Sequence, residues 1–201
     1  ATPEALARTS HPRFRVLLLP LLYDDDVVVV RGAIRSARAL GGSDGLFLAG
    51  LLSLLGHRHL KSDARDALVG YGPDIVPALR HVLLDTREEA WVRRHVPATL
   101  GHLPSQPSLD ALTAALDDPD GFLRHKAIAA LARVCHVRPD LQPATAAFEK
   151  AVLREASRYC NHLMLQYDFR QHPRAGHSLL QRALDDKLKR TLDRLYRLLG
   201  L

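Results

Sequence analysis

Two basic clusters in the sequence could bind phosphate groups or an acidic protein surface. The first is Arg93-Arg94-His95, and the second, Arg124-His125-Lys126, begins 31 residues later. Guanidinium and ammonium groups form charge-assisted hydrogen bonds with phosphate and carboxylate oxygens. The competing interpretation is that one arginine of each cluster stabilises the fold and the remaining side chains are solvated. The residues that we expect on a partner-binding surface are Arg94, His95, His125 and Lys126.

Cysteine and histidine supply the ligand types of a zinc site. Cys135-His136 and Cys160-Asn161-His162 together contain two thiols and two imidazoles, which could complete a tetrahedron. The spacing argues against it, because neither pair forms a Cys-x2-Cys loop and Cys160 and His162 would lie about 200° apart on one helix. We expect reduced core thiols, surface histidines, and neither a metal nor another cofactor.

The sequence also lacks the common catalytic motifs. It contains no phosphate-binding glycine loop, nucleophile elbow or His-Glu-x-x-His pair. The single tryptophan, Trp91, is expected to pack between structural units. These observations favour a protein that is not an enzyme.

Composition favours an all-α fold with an acidic partner. Hydrophobic residues make up 47% of the 201 residues and aromatic residues only 5%, so the core must consist of Leu, Ala and Val, of which Leu and Ala are strong helix formers. The formal net charge of +6 favours acidic proteins, nucleic acid or anionic lipid as partners.

No membrane-inserted segment is expected in this sequence. Its longest apolar stretches, Val16 to Tyr23 and Leu46 to Leu55, are shorter than the roughly 20 residues that a membrane-spanning helix needs. No secretory signal precedes them, which favours the cytoplasm. The start without methionine and the apolar end at Leu201 suggest a segment of a longer chain.

The elements that position these residues repeat with a period of 31. The period relates Arg31, Ser62, Arg93 and Arg124. Leucines follow the same spacing, as in Leu17, Leu48 and Leu79, and we expect them to be buried. A period of this size predicts stacked pairs of helices, because one pair alone does not cover its own apolar face.

The pattern predicts four helix pairs between residues 14 and 137, after an N-terminal extension at 1–13. Short polar turns should make each pair antiparallel. The expected helices are Pro12 to Tyr23, Val27 to Leu40, Asp44 to Leu55, Leu60 to Tyr71, Pro73 to Leu84, Glu88 to Leu103 with a kink at Pro97, Ser108 to Leu116, and Pro119 to Val134. Asp26 and Asp118 are the expected N-caps of the second helix and the last helix.

The period ends after Val134, and residues 138–201 are predicted to form a long helical hairpin. Its helices should run from about Ala144 to Phe169 and from about His177 to Leu199. A leucine stripe from Leu180 to Leu199 marks the apolar face of the second helix. A coiled-coil dimer is the competing use of that stripe.

The repeated units resemble HEAT repeats. The segments Asp24 to Ile34 and Leu116 to Ala127 are similar to the central turn and second helix of that family. The resemblance implies an α-solenoid of about four repeats in which turn aspartates and second-helix arginines connect neighbouring repeats. The corresponding residues here are Asp26, Asp85 and Asp118 with Arg31, Arg93 and Arg124. The second unit departs from the pattern, with Ser62 in place of the arginine.

A more specific resemblance is to the HEAT segment of large bacterial membrane proteins that contain a major-facilitator or ATP/ADP-translocase-like region. It rests on Trp91 to Leu100, Leu116 to Lys126 and Lys187 to Leu201, and it implies a regulatory or assembly domain that binds another protein or another domain of the same polypeptide. The alternative is a basic nucleic-acid-binding protein similar to the alkylpurine DNA glycosylases that are built on such repeats.

Overall fold

The computed structural model describes residues 15–41, 45–171 and 178–200, and within these ranges the fold is all-α. The predicted extension at 1–13 and most of the predicted break before the last helix lie outside the described residues. The described residues include four short 3₁₀ helices, at Val16–Leu18, Pro20–Tyr23, Pro73–Ile75 and Ala115–Asp117. The α-helices are α1 (Val27–Leu40), α2 (Leu48–Leu54), α3 (Lys61–Gly70), α4 (Val76–Leu84), α5 (Ala90–Arg93), α6 (Val96–Leu100), α7 (Gln106–Ala114), α8 (Gly121–Val137), α9 (Thr145–Gln171) and α10 (Ser178–Leu199).

The helices form two layers, which makes the fold an α-solenoid as the period predicted. The second helix of each pair packs against the second helix of the next, in the order α1, α3, α6 and α8. In the other layer, α2 packs against the 3₁₀ helix at Pro20–Tyr23, and α4 packs against α7. One continuous apolar core runs from Leu18 through the repeats to Ala151 and Leu198 in the C-terminal helices.

The C-terminal helices form the expected hairpin and extend both layers. Helix α9 packs against α7, while α10 packs against α9 and α8. The contacts of Gln166 with Asp185 and of Glu155 with Arg194 show that α9 and α10 are antiparallel. The leucine stripe of α10 is only partly buried: Leu184 and Leu188 are buried, but Leu199 is exposed.

Proline changes two of the predicted helices. The first, expected from Pro12, is replaced within the described residues by two 3₁₀ helices that meet at Pro20, and Leu17 is exposed rather than buried. The helix expected from Glu88 to Leu103 is not one kinked helix but two, α5 and α6. Pro97 has no amide hydrogen to donate to Arg93, and in a continuous helix its ring would collide with the carbonyl group four residues earlier.

Capping follows the prediction at one helix and departs from it at another. The carboxylate of Asp26 accepts a hydrogen bond of 2.8 Å from the amide of Val28, which caps α1. Helix α8 is capped by Asp120, not by Asp118, and begins two residues later than expected. The Asp118 carboxylate is instead bonded to the amide of Asp120 and to Arg93.

Candidate binding surface

The arginines of the 31-residue period each contact the following unit, but with different acids. Arg31 donates from Nε to Asp63 Oδ2 at 2.9 Å, an ion pair in which both side chains are partly exposed. Asp26, the acid suggested by the HEAT resemblance, caps α1 and does not receive this contact. Asp63 lies in the first turn of α3, so this ion pair joins the first two second helices.

Arg93 and Asp118 form a buried ion pair between the third and fourth units. Their side chains are only 8% and 7% exposed. Arg93 also donates to the carbonyl oxygen of Leu83 at 3.0 Å. Asp85 does not join two units: it bonds Arg87 in its own turn, which lowers the pKa of Asp85 to about 2.

Arg124 contacts the hairpin through Glu155, which the sequence analysis did not identify. Arg124 donates to Glu155 Oε1 at 2.8 Å and to the carbonyl oxygens of Asp118 and Pro119. Arg194 of α10 donates to the other carboxylate oxygen at 2.7 Å, and Arg158 of α9 donates to Oε1 at 3.1 Å. One buried carboxylate thus receives three arginines from three helices.

Charge pairing decides the ionisation of Glu155. Burial by itself would raise the pKa of this carboxyl group, but the hydrogen bonds and charges of Arg194 and Arg124 outweigh burial and lower the pKa below its ordinary value. Glu155 is therefore a carboxylate at neutral pH, and it neutralises only one of its three cationic neighbours.

Of the four residues predicted for partner binding, Arg94 has a partner within the protein. Its Nε lies 2.6 Å from Asp120 Oδ2, and its guanidinium group lies over the ring of Phe122. The ammonium group of Lys126 lies 5.3 Å from the centre of the same ring. The Nδ1 atom of His125 lies 3.9 Å from Asp193 Oδ2, which is too long for a hydrogen bond. These contacts reduce what Arg94 can offer to a partner.

His95 and Lys126 lie near two further basic residues, Lys61 and Arg65 of α3, which the sequence analysis did not identify. Burial lowers the pKa of His95, and the positive charges of Lys126, Arg65 and Lys61 lower it further. The pKa of Lys126 is lowered by burial and then by Arg65 and Lys61. Lys61 and Arg65 of the second unit thus lie close enough to Lys126 of the fourth unit for their charges to repel one another, and the same charges disfavour protonation of His95 in the third unit. We call Lys61, Arg65, His95 and Lys126 the basic surface.

A groove of about 360 Å³ adjoins the basic surface. It is lined by small residues such as Ala98, Gly101 and Ala129, and by cationic residues that include Arg65, Lys126 and Arg133. Within the described ranges, no carboxylate lies within 4.0 Å of these three cations, and the Nε of Arg65 is buried without a hydrogen-bond partner. The 31-residue period does not single out Lys61 or Arg65, because their counterparts in the third unit are the apolar residues Val92 and Val96.

The thiols differ in their surroundings. Cys135 is half-buried, and burial raises the pKa of its thiol. Cys160, in α9, is exposed, so the expectation of two core thiols is wrong for this residue. Among the residues that the structure describes, no three histidine, cysteine or acidic side chains are grouped as metal ligands would be.

Comparison with known proteins supports the repeat architecture. The family model described as HEAT repeats matches residues 48–132, which span the second, third and fourth units up to α8. No curated protein matches the chain. HEAT repeats are typically non-enzymatic scaffolds for protein interaction. None of the described helices is long and apolar enough to cross a membrane.

Proposed function

We propose that this protein is a non-catalytic interaction module whose basic surface binds an acidic segment of another protein or of another domain of its own polypeptide. The observation that carries the proposal is the convergence of Lys61 and Arg65 of the second repeat with Lys126 of the fourth, beside one groove and next to His95 of the third. Such a cluster raises the energy of the free protein by mutual repulsion, and a bound acidic segment removes that cost.

The setting that we propose is a regulatory or assembly domain of a larger, transporter-like bacterial protein in the cytosol. The resemblance of Trp91 to Leu100 and of Leu116 to Lys126 to the HEAT segments of such proteins supports this setting. Two of the four residues of the basic surface, His95 and Lys126, lie within these segments.

The test compares an acidic peptide with nucleic acid. Fluorescence anisotropy with a labelled oligoglutamate peptide, single-stranded DNA, double-stranded DNA and RNA should show the tightest binding to the peptide. Nucleic-acid binding tighter than about 10 µM at about 50 mM salt, falling steeply with added salt, would favour the nucleic-acid alternative instead. No binding of any probe would refute the proposal.

Charge-reversal variants locate the surface. Lys61→Glu with Lys126→Glu should abolish binding of the peptide, because both side chains are without a carboxylate partner among the described residues. Arg182→Glu with Lys189→Glu on α10 changes the net charge equally and is the matched control. Equal loss in both double variants would show that net charge, and not this surface, determines binding.

A further inference from the structure

A second basic cavity, of about 680 Å³, lies between α8 and the hairpin. Of its ten lining residues, seven are arginine, lysine or histidine and none is acidic. Its volume falls within the range of about 300–1,000 Å³ that is typical of small-molecule sites. The residues used below are His125, Arg158, His162, Lys187, Arg190 and Arg194.

The cavity holds more positive charge than the protein neutralises. Glu155 lies beside it and is shared by Arg124, Arg158 and Arg194, which leaves a surplus of two positive charges. Lys187 and Arg190 add to the surplus, since in the described parts of the chain neither has a carboxylate within 4.0 Å. Asp193, next to His125, is already bonded to Arg197 at 2.9 Å.

The two histidines of the cavity are affected by the same positive charges. Burial lowers the pKa of His162, and the charges of Lys187 and Arg194 lower it further. Burial also lowers the pKa of His125, and the attraction of Asp193 does not restore it. The cavity therefore disfavours another positive charge and favours an anion.

We propose that this cavity binds a phosphate-bearing small molecule with at least two negative charges. Arg158 donates to Glu155 through one guanidinium nitrogen, Nη1, and among the described residues its other guanidinium nitrogens have no hydrogen-bond acceptor. Lys187 and Arg190 are exposed side chains on successive turns of one face of α10, so they can reach oxygens of one ligand. Guanidinium groups fit two phosphate oxygens at once, and an ammonium group adds a point charge.

The bound anion would also hold the hairpin to the repeats. The walls of the cavity come from α8, α9 and α10, so a ligand that contacts all three stabilises their packing over the unbound state. This site adjoins the groove beside the basic surface, because His125 lines both, but it contains none of the four residues of the basic surface. It goes beyond the proposed function because its ligand is a small molecule.

Isothermal titration with inorganic pyrophosphate at low salt tests the site in the full chain. We expect one saturable site, and Lys187→Gln and Arg190→Gln should each weaken binding by about tenfold or more, the loss typical of a charged hydrogen bond. Lys189 lies on the same helix but outside the cavity, so the Lys189→Gln variant should bind pyrophosphate with an affinity within about twofold of the unsubstituted protein. All three substituted side chains are exposed, so the variants should fold alike.

Two further readouts sharpen the result. The pKa values of His125 and His162, followed by NMR, should rise when pyrophosphate is added, because an anion favours the protonated rings. ATP distinguishes the source of the phosphate: equal affinity indicates that only phosphate is recognised, and tighter binding indicates a nucleotide. Absence of saturable binding below about 1 mM, or equal weakening by Lys189→Gln, would overturn the proposal.

Discussion

Replacement of Glu155 by glutamine should loosen the hairpin from the repeats. The substitution keeps the shape of the side chain but removes the charge that Arg124 and Arg194 share. Those two guanidinium groups are only 5% and 10% exposed, so water replaces the lost carboxylate less well than it would at the surface. Removal of one partner from a buried ion pair typically costs about 3–5 kcal/mol.

An exposed ion pair at the same joint provides the matched control. Asp117 binds Lys150 at 2.8 Å and also contacts Arg154, both of α9, but its side chain is 50% exposed. Asp117→Asn should therefore cost less than about 1 kcal/mol. Both variants remove one negative charge between the fourth unit and α9, so their difference isolates the effect of burial.

The assay combines thermal unfolding with hydrogen exchange. In a protein of this size each kcal/mol lowers Tm by about 2–4 °C, so Glu155→Gln should lower it by roughly 6–20 °C if the chain unfolds as one unit. If the hairpin separates first, as repeat architectures permit, amides of α9 and α10 should lose protection before those of α4 and α7. A Glu155→Gln protein no less stable than Asp117→Asn, with full protection in the hairpin, would refute the reasoning.

Three other outcomes are expected. Asp118→Asn, which breaks the buried pair with Arg93, should cost about 3–5 kcal/mol, whereas Asp63→Asn at the exposed pair should cost under about 1 kcal/mol; equal losses in denaturant unfolding would contradict the difference. Gly56→Ala should shift the fluorescence of Trp91, because the added methyl carbon would lie 2.5 Å from a ring atom; an unchanged emission spectrum would count against this contact. Tm should fall between about pH 7.5 and 5.5, since four histidines have a lowered pKa in the folded protein and take up protons on unfolding in this window; a Tm that is constant or rises on acidification would contradict this.

Helix caps, glycines and the leucine period predicted most helices of the repeats. Helix α1 has the predicted bounds, because the Asp26 cap and Gly41, whose φ is 79°, mark its two ends. The same reasoning failed at Pro20 and Pro97, where the effect of proline on neighbouring turns outweighed the apolar period. Buried leucines such as Leu79 and Leu131 followed the period.

The candidate sites depended more on distant contacts. The cluster at His125 and Lys126 could be found because its residues are adjacent in the sequence. Glu155 could not be recognised in the same way, since it is a single acid within the long α9 helix, although it stands 31 residues after Arg124. Its role depends on the arrival of Arg194 from α10, a contact across the hairpin.

The shared carboxylate also fixes how α9 and α10 are aligned. Apolar contacts between two long helices change little if one helix slides by a turn, a shift of about 5.4 Å. A slide of that size would move Arg194 beyond reach of Glu155 and leave a buried charge unmatched, which is far costlier than an imperfect leucine contact. The ionic joint thus sets the register of the two hairpin helices as well as their attachment to the repeats.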